Sequence, residues 1–323
     1  CLYVGIPFCP TRCAYCSFVS QSVEKSMKLM DPFFDALLLE VDATARQVRA
    51  LGLEPVSLYM GGGTPTTLSA AQLDLLFSKL EAEFDLSRLR ENTVEAGRPD
   101  TITKEKLEVL KCHGITRVSV NPQTMEDTVL AAIGRKHTAQ DILDSLTLVR
   151  TVGGMAVNMD LIAGLPTDTT AGFCRTLDAV LSLSPENVTI HTLSLKKGAR
   201  LKDEGGEIPA APDVAAMLDF AFPVLRRAGY RPYYLYRQKN MAGGFENTGW
   251  TLPGQENLYN ICIMEELCSI LAMGAGGSTK LIAPGGKIQR IFAPKYPNEY
   301  IANIEKTCSD KNKIGEFYVL STY

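Results

Sequence analysis

No stretch of this chain approaches the roughly 20 apolar residues that cross a bilayer, and no signal-peptide pattern opens it. A membrane span is therefore not expected. Charge of one sign is also missing: 33 Lys and Arg face 36 Asp and Glu, a formal net charge of -3. That balance offers no basic surface for nucleic acid or for an anionic membrane. An initiator methionine is absent too. The chain begins at Cys1, already inside a strand-like run, and is expected to be part of a longer protein that carries a further N-terminal portion. Its nine cysteines are an odd number with no sign of secretion, which argues against a disulfide framework and for a reducing, cytoplasmic setting. With 323 residues, 46% of them hydrophobic, the chain suffices for one large α/β domain or a domain plus an extension.

Three cysteines stand with three and then two residues between them in Cys9-Pro10-Thr11-Arg12-Cys13-Ala14-Tyr15-Cys16, directly after the strand-like run Leu2 to Ile6. Zinc would want a fourth ligand nearby, and the next Cys or His residues are Cys112 and His113. Core cysteines would not crowd one polar loop holding Pro10, Thr11 and Arg12. A loop of this kind can place three thiolates on three irons of a [4Fe-4S] cube. Such clusters usually take four cysteines, so one iron stays open for another ligand.

Downstream, strand and helix patterns alternate. Asp31 and Pro32 read as the cap and first residue of a helix that Gly52 ends, with Phe34, Leu37, Leu38, Val41, Ala45, Val48 and Leu51 as its buried stripe. The strand Val56 to Met60 runs into Gly61-Gly62-Gly63-Thr64-Pro65, and Ser69 with Gln72 forms a capping box for the next helix. Strands follow at 92–96, 116–121, 156–162 and 187–195, with helices at 103–111, 125–133, from Thr138, and at 171–183. This βα repetition predicts a parallel sheet flanked by helices, hence a full or partial (β/α) barrel. The cysteine loop, the glycine run, Glu95, Gln123 and Asp160 each fall at the C-terminal end of a different strand, the end where parallel barrels build active sites.

The cysteine spacing, with Tyr15 before the third cysteine, resembles the radical S-adenosylmethionine (SAM) superfamily. Within it, Tyr3 to Cys9, Gly61 to Thr66, Glu95 to Pro99, Arg117 to Gln123 and Asp160 to Pro166 resemble the oxygen-independent coproporphyrinogen III oxidases and their relatives, the HemN, HemW and HemZ groups. Tyr236 to Asn240 and Glu256 to Ile261 bring it nearest the HemZ coproporphyrinogen dehydrogenase group. The resemblance implies a partial (β/α)6 barrel of radical SAM type over residues 1–195, with a C-terminal α+β extension at 196–323 covering it. It implies Cys9, Cys13 and Cys16 as ligands of a [4Fe-4S] cluster whose open iron takes the amine and carboxylate of SAM. It further implies Gly62, Gly63 and Thr64 against the methionine amine, with Glu95, Gln123, Arg135 and Asp160 as SAM contacts. Tyr15 would lie beside the cluster, and Tyr3 would face the open iron. One departure stands out: the oxidases carry another cysteine two positions after the third, where this chain has Ser17 and then Phe18.

The expected activity is oxidative decarboxylation of the propionates of a tetrapyrrole, coproporphyrinogen III, to vinyl groups, with a flavodoxin- or ferredoxin-like electron donor. Two alternatives are a haem carrier on the same barrel and radical chemistry such as methyl transfer on another substrate. Lys196, Lys197, Arg200, Arg237 and Lys239 are candidate partners for a substrate carboxylate. After Lys196 the rhythm breaks: a polar connector, a helix at 214–228 containing Pro223, an aromatic strand at 230–236, and a Gly- and Asn-rich stretch at 238–260 read mainly as a surface loop. His113 reads as a capping or surface residue. Alternation alone does not decide whether His191 points into the barrel.

Overall fold

In the computed structural model, which describes all residues except 17–20, 23–25, 195–198, 204–208, 238–241, 284 and 321–323, the chain folds around one nine-stranded sheet. Its first six strands in sequence are β1 (Leu2–Ile6), β2 (Ser57–Gly62), β3 (Glu91–Gly97), β4 (Arg117–Val120), β5 (Ala156–Ala163) and β6 (Asn187–Thr192). They pair in parallel in that order. Each connection contains at least one helix: α1 (Met30–Ala50), α2 (Ala70–Glu83), α3 (Lys104–Cys112), α4 (Asp127–Ala132), α5 (Ala139–Val152) and α6 (Thr170–Ser182). This is the partial six-unit barrel that the resemblance implies.

Side chains alternate between the two faces of each strand. Val4, Leu58, Met60, Val94, Val118, Val157, Met159, Val188 and Ile190 are fully buried and share one core with helix residues such as Leu37, Leu73, Leu146 and Leu177. The residues between them, Tyr3, Tyr59, Glu95, Asn158, Asp160 and His191, therefore face the barrel interior. Two helices begin as the sequence predicts, with Ser69–Gln72 and Thr138–Asp141 capping boxes. Helix α1 differs. A 3-10 turn at Met27–Leu29 feeds straight into it, so Asp31 lies inside the first turn, where a carboxylate meets the positive end of the helix dipole, and no side chain caps it.

After residue 195 the chain returns to the sheet. Helix α7 (Ala211–Arg227) holds Pro223, and β7 (Arg231–Tyr236) and β8 (Asn247–Thr251) extend one edge. β8 runs antiparallel between β6 and β7. The surface loop expected around Trp250 is thus in part a buried strand, with Trp250 only 1% exposed and packed on Phe222. Helix α8 (Leu258–Met264) precedes β9 (Leu271–Gly274), which pairs in parallel with β1 on the other edge. The sheet order is β9-β1-β2-β3-β4-β5-β6-β8-β7. Among the described residues no helix is long and apolar enough to cross a membrane.

The C-terminal helices α9 (Pro297–Ala302), α10 (Ile304–Asp310) and α11 (Asn312–Leu320) pack on α1. Glu40 of α1, fully buried, is a polar link in that contact. Its carboxylate pairs with Lys311 at 2.7 Å and accepts from the Gly274 N–H at 2.6 Å and from the Tyr300 hydroxyl. Removing one partner of a buried pair strands the other charge at a cost of about 3–5 kcal/mol. Glu40→Leu should therefore lower the unfolding free energy read from urea titration by that order, while Glu40→Leu with Lys311→Met should recover most of it. Equal loss in both variants would show that the pair is not the source.

Candidate functional site

Past the end of β1, Phe8–Cys9 pairs in parallel with Gln21–Ser22 and opens the cysteine loop. Backbone bonds fix that loop in place. Ala14 N–H donates to Ile133 at 2.9 Å, Leu201 N–H donates to Ala14 at 2.9 Å, and Cys16 N–H turns back to Cys13. Arg98, 3% exposed and gripped at 3.0 Å by both oxygens of Asp100, reaches the Thr11 hydroxyl at 2.9 Å and the Cys13 sulfur at 3.8 Å. The Thr64 hydroxyl donates to Cys9 Sγ at 3.4 Å. None of the three cysteines is joined in a disulfide.

The glycine run sits against this loop because no side chain would fit there. Gly63 N–H donates to Ile6 and Thr64 N–H to Phe8, both at 2.7 Å. A Cβ on Gly63 would stand 2.5 Å from the Phe8 carbonyl oxygen, and one on Gly61 would stand 2.7 Å from Glu95 Oε2. Gly62 has φ 105°, a left-handed conformation that glycine adopts without strain, and its N–H donates to the Glu95 carboxylate. Tyr59 donates to the same carboxylate at 2.5 Å. Burial pushes the Glu95 carboxyl up to about 7 against those two bonds, and the nearby Asp160 adds to the rise.

The opposite wall comes from β4 to β6. Gln123 has φ 68° and bridges to β5, its N–H donating to the Asp160 carbonyl and its own carbonyl accepting from Ile162. Asn158 donates to Asp160 Oδ1 at 2.8 Å, and His191 Nε2 lies 3.7 Å from Oδ2. Burial opposes ionisation of Asp160, yet His191 and the Asn158 and Thr189 bonds hold its carboxyl below the ordinary range. Arg135, 8% exposed, donates to the Asn121 carbonyl at 2.7 Å and reaches the Tyr15 hydroxyl at 3.4 Å.

These walls enclose a cavity of about 330 Å³, within the size range of small-molecule sites. Cys9, Cys13, Cys16, Tyr15, Gly62, Gly63, Thr64, Glu95, Gln123, Arg135 and Asp160 all line it. Tyr3 does not. Its ring stacks with those of Tyr59 and Tyr259 behind Glu95. Arg98, Asn121, His191, Tyr236 and Asn247 also line the cavity and had not been singled out as ligand contacts. The β5–β6 register carries the signal for His191: it sets Thr189 opposite Asp160, so His191, two residues further on, shares the same inward side. Arg237 pairs with the exposed Glu246, Arg200 opens the short helix Arg200–Asp203, and neither lines the cavity. Ser17, Phe18, Lys196, Lys197 and Lys239 lie outside the described residues.

The donor set suits an iron–sulfur cluster with a charged ligand beside it. Three thiols share one mouth with two guanidinium groups, and the Arg135 Nε and Asn121 Oδ1 atoms on the walls are buried without a hydrogen-bond partner among the described residues. Comparison with known proteins agrees. The HemZ protein of Bacillus subtilis, described as oxygen-independent coproporphyrinogen-III oxidase-like, is 41% identical over 98% of this chain, which spans 64% of that protein's length. The haem chaperone HemW of Haemophilus influenzae is 26% identical over 93% of this chain and 75% of its own. The solved structure of coproporphyrinogen III oxidase (HemN) from Escherichia coli superposes with a TM-score of 0.74 at 22% identity, covering 95% of this chain and 69% of that one. The sequence model of the radical SAM superfamily matches residues 3–180, more than half of the 323 residues, and the chain belongs to that superfamily.

Proposed function

We propose that this chain is the catalytic part of a radical SAM oxidoreductase acting on the propionates of a tetrapyrrole of the coproporphyrinogen III class. The observation that carries the reading is the convergence of three cysteines, a glycine cradle and the side chains of Glu95, Gln123, Arg135 and Asp160 on one cavity. When bound, a [4Fe-4S] cluster with SAM supplies a hydrogen-abstracting radical. Cys9, Cys13 and Cys16 would hold the cluster, with Arg98 and Thr64 directing donors at two of the sulfurs. The open backbone at Gly62 to Thr64 would receive the methionine amine, beside the Glu95 carboxylate. Arg135 would face the SAM carboxylate, and Asp160, held ionised by His191 and Asn158, the ribose hydroxyls. Residues 1–195 form the core in this reading. Residues 196–323 cover it and contribute β7 and β8 at one edge and β9 at the other.

For each propionate, transfer of a hydrogen atom to the SAM-derived radical, loss of CO2 and passage of one further electron to an external one-electron acceptor would give a vinyl group. The reducing electron would come from a flavodoxin- or ferredoxin-like donor, since low-potential clusters demand one. HemZ favours this reaction by its described likeness to an oxidase. The HemW relatives favour a second reading, a haem carrier on the same barrel. Anaerobic turnover of cluster-reconstituted protein with dithionite, SAM and coproporphyrinogen III separates the two. Substrate-dependent growth of 5′-deoxyadenosine together with vinyl product is expected. Haem transfer to an apoprotein with no consumption of SAM would establish the carrier, and deoxyadenosine without vinyl product would move the substrate elsewhere.

Two further outcomes are expected. Gly63→Ala sets a Cβ against the Phe8 carbonyl; overpacking of about 1–3 kcal/mol should weaken SAM binding roughly tenfold or more while iron content stays near wild type. Unchanged SAM affinity by equilibrium dialysis would remove the cradle from the site. Glu95 gives a pH signature. Its folded carboxyl titrates near 7 against an ordinary 4.5. The unfolded chain therefore sheds that proton first, and wild-type stability is lost as pH rises from about 4.5 through 7. In cluster-free protein Glu95→Gln should gain on wild type across that window by up to roughly 3 kcal/mol. Urea midpoints at pH 5 and pH 8 read the difference, and a gap independent of pH would contradict the assignment.

A further inference from the structure

A second group of three cysteines lies at the other end of the sheet. Cys1 precedes β1, Cys262 sits on α8, and Cys268 stands in the turn before β9. Their Sγ atoms all lie within 4.8 Å of one another, with Cys1 and Cys268 at 3.3 Å and a hydrogen bond joining Cys268 to Cys262. β1 separates this cluster from the Cys9–Cys16 loop by a five-residue strand, about 17 Å at 3.3 Å per residue. The two sets therefore cannot share a metal.

Each sulfur is held by a separate structural device. Leu271 N–H donates to the Cys1 carbonyl at 2.8 Å, which continues the β1–β9 ladder and sets Cys1 beside the approach to β9. Helix α8 is capped by the Asn257 side chain, and Glu91 at the start of β3 accepts from its first two N–H groups, Leu258 at 2.8 Å and Tyr259 at 3.3 Å. Leu267 N–H then donates to the Cys262 carbonyl at 3.2 Å, with Glu266 at φ 53°, and this tight turn swings Cys268 back over the helix end. Cys262 is buried, while Cys1 and Cys268 are partly exposed.

We propose that Cys1, Cys262 and Cys268 bind one thiophilic d10 divalent ion of the zinc class, clasping β1 to α8 and the turn before β9. Thiolates held about 2.3 Å from tetrahedral zinc stand roughly 3.8 Å apart, so sulfurs already within 4.8 Å need shifts of only tenths of an ångström to an ångström. Three mutually adjacent thiols fit a metal better than a disulfide, which would use two and strand the third. Binding replaces three S–H bonds with three metal–sulfur bonds, releases three protons to solvent and involves no oxidant. The partly exposed side of the cluster leaves the fourth position to water.

The test is elemental analysis of the full chain, cluster-reconstituted and then equilibrated with Zn²⁺ alone and gel-filtered. About one zinc per chain is expected, lost in Cys262→Ser and in Cys268→Ser. It should be kept in a Cys9→Ala, Cys13→Ala, Cys16→Ala variant that has lost its iron. Because a serine at a buried position can itself unsettle the fold, a second measurement uses the wild-type chain: Zn²⁺ should shield Cys1, Cys262 and Cys268 from iodoacetamide as read by peptide mass spectrometry. Zinc retained by the Cys268→Ser variant, zinc that leaves with Cys9, Cys13 and Cys16, unprotected thiols, or a Cys1–Cys268 disulfide in place of metal would each overturn the proposal. The last two outcomes leave the radical SAM reading intact, because that reading is measured by iron and deoxyadenosine.

Discussion

Two backbone hydrogen bonds, Gly63 N–H to Ile6 and Thr64 N–H to Phe8, govern the site. They continue the β1–β2 pairing beyond the strand ends and press the cysteine loop against the glycine run. At this separation a Cβ has no room, which is why three glycines stand in a row where two segments of the chain and a buried carboxylate meet. The same approach leaves the Gly62 N–H free to bond Glu95. Loop, cradle and acid are therefore one unit.

Charge in the cavity is sorted by position. Arg98 and Arg135 stand near the thiols, whereas Glu95 and Asp160 lie at the ends of β3 and β5. SAM carries a carboxylate, an amine and a sulfonium, so a site with both signs suits it better than a uniformly charged one. The two acids are tuned apart. Asp160 has three polar partners on its own face and stays ionised, while Glu95 is supported by a tyrosine and one backbone N–H and sits near neutrality. A cation arriving beside Glu95 would favour its ionised form, so ligand binding and proton release are coupled there.

The βα frame could be read from the sequence because each strand is buried between the helices and the barrel interior, and caps such as Ser69 and Thr138 mark the helices by local chemistry. Eleven of the twelve expected site residues line the cavity because strand ends and short loops leave little freedom to their direction. β8 was hidden by composition. Gly249 suppresses a strand reading, but a Cβ there would fall 1.9 Å from the Tyr234 ring, so the glycine marks close packing between β7 and β8. Tyr3 shows the reverse case. Its place on β1 points it inward, but only the side chains of Tyr59 and Tyr259, one of them more than 250 residues away in sequence, decide that it joins a ring stack.

The two ends of the sheet divide the work. At the C-terminal end lie buried and half-buried thiols, glycine backbone and polar atoms without a partner among the described residues, all features that cost stability unless a ligand meets them. At the N-terminal end, residues 255–259 close the barrel: Arg117 donates to Asn187 and to the Gln255 carbonyl, Asn187 donates to Gln255 at 2.7 Å, and Glu91 takes the start of α8. Parallel barrels confine chemistry to the first end and stability to the second. Cys1, Cys262 and Cys268 belong to the stabilising end, where β1 has β9 as its edge neighbour. A clasp there would act on the same strand that carries the cysteine loop at its far end, so residues after 195 would bear on the site from below as well as through Tyr236 and Asn247 on its wall.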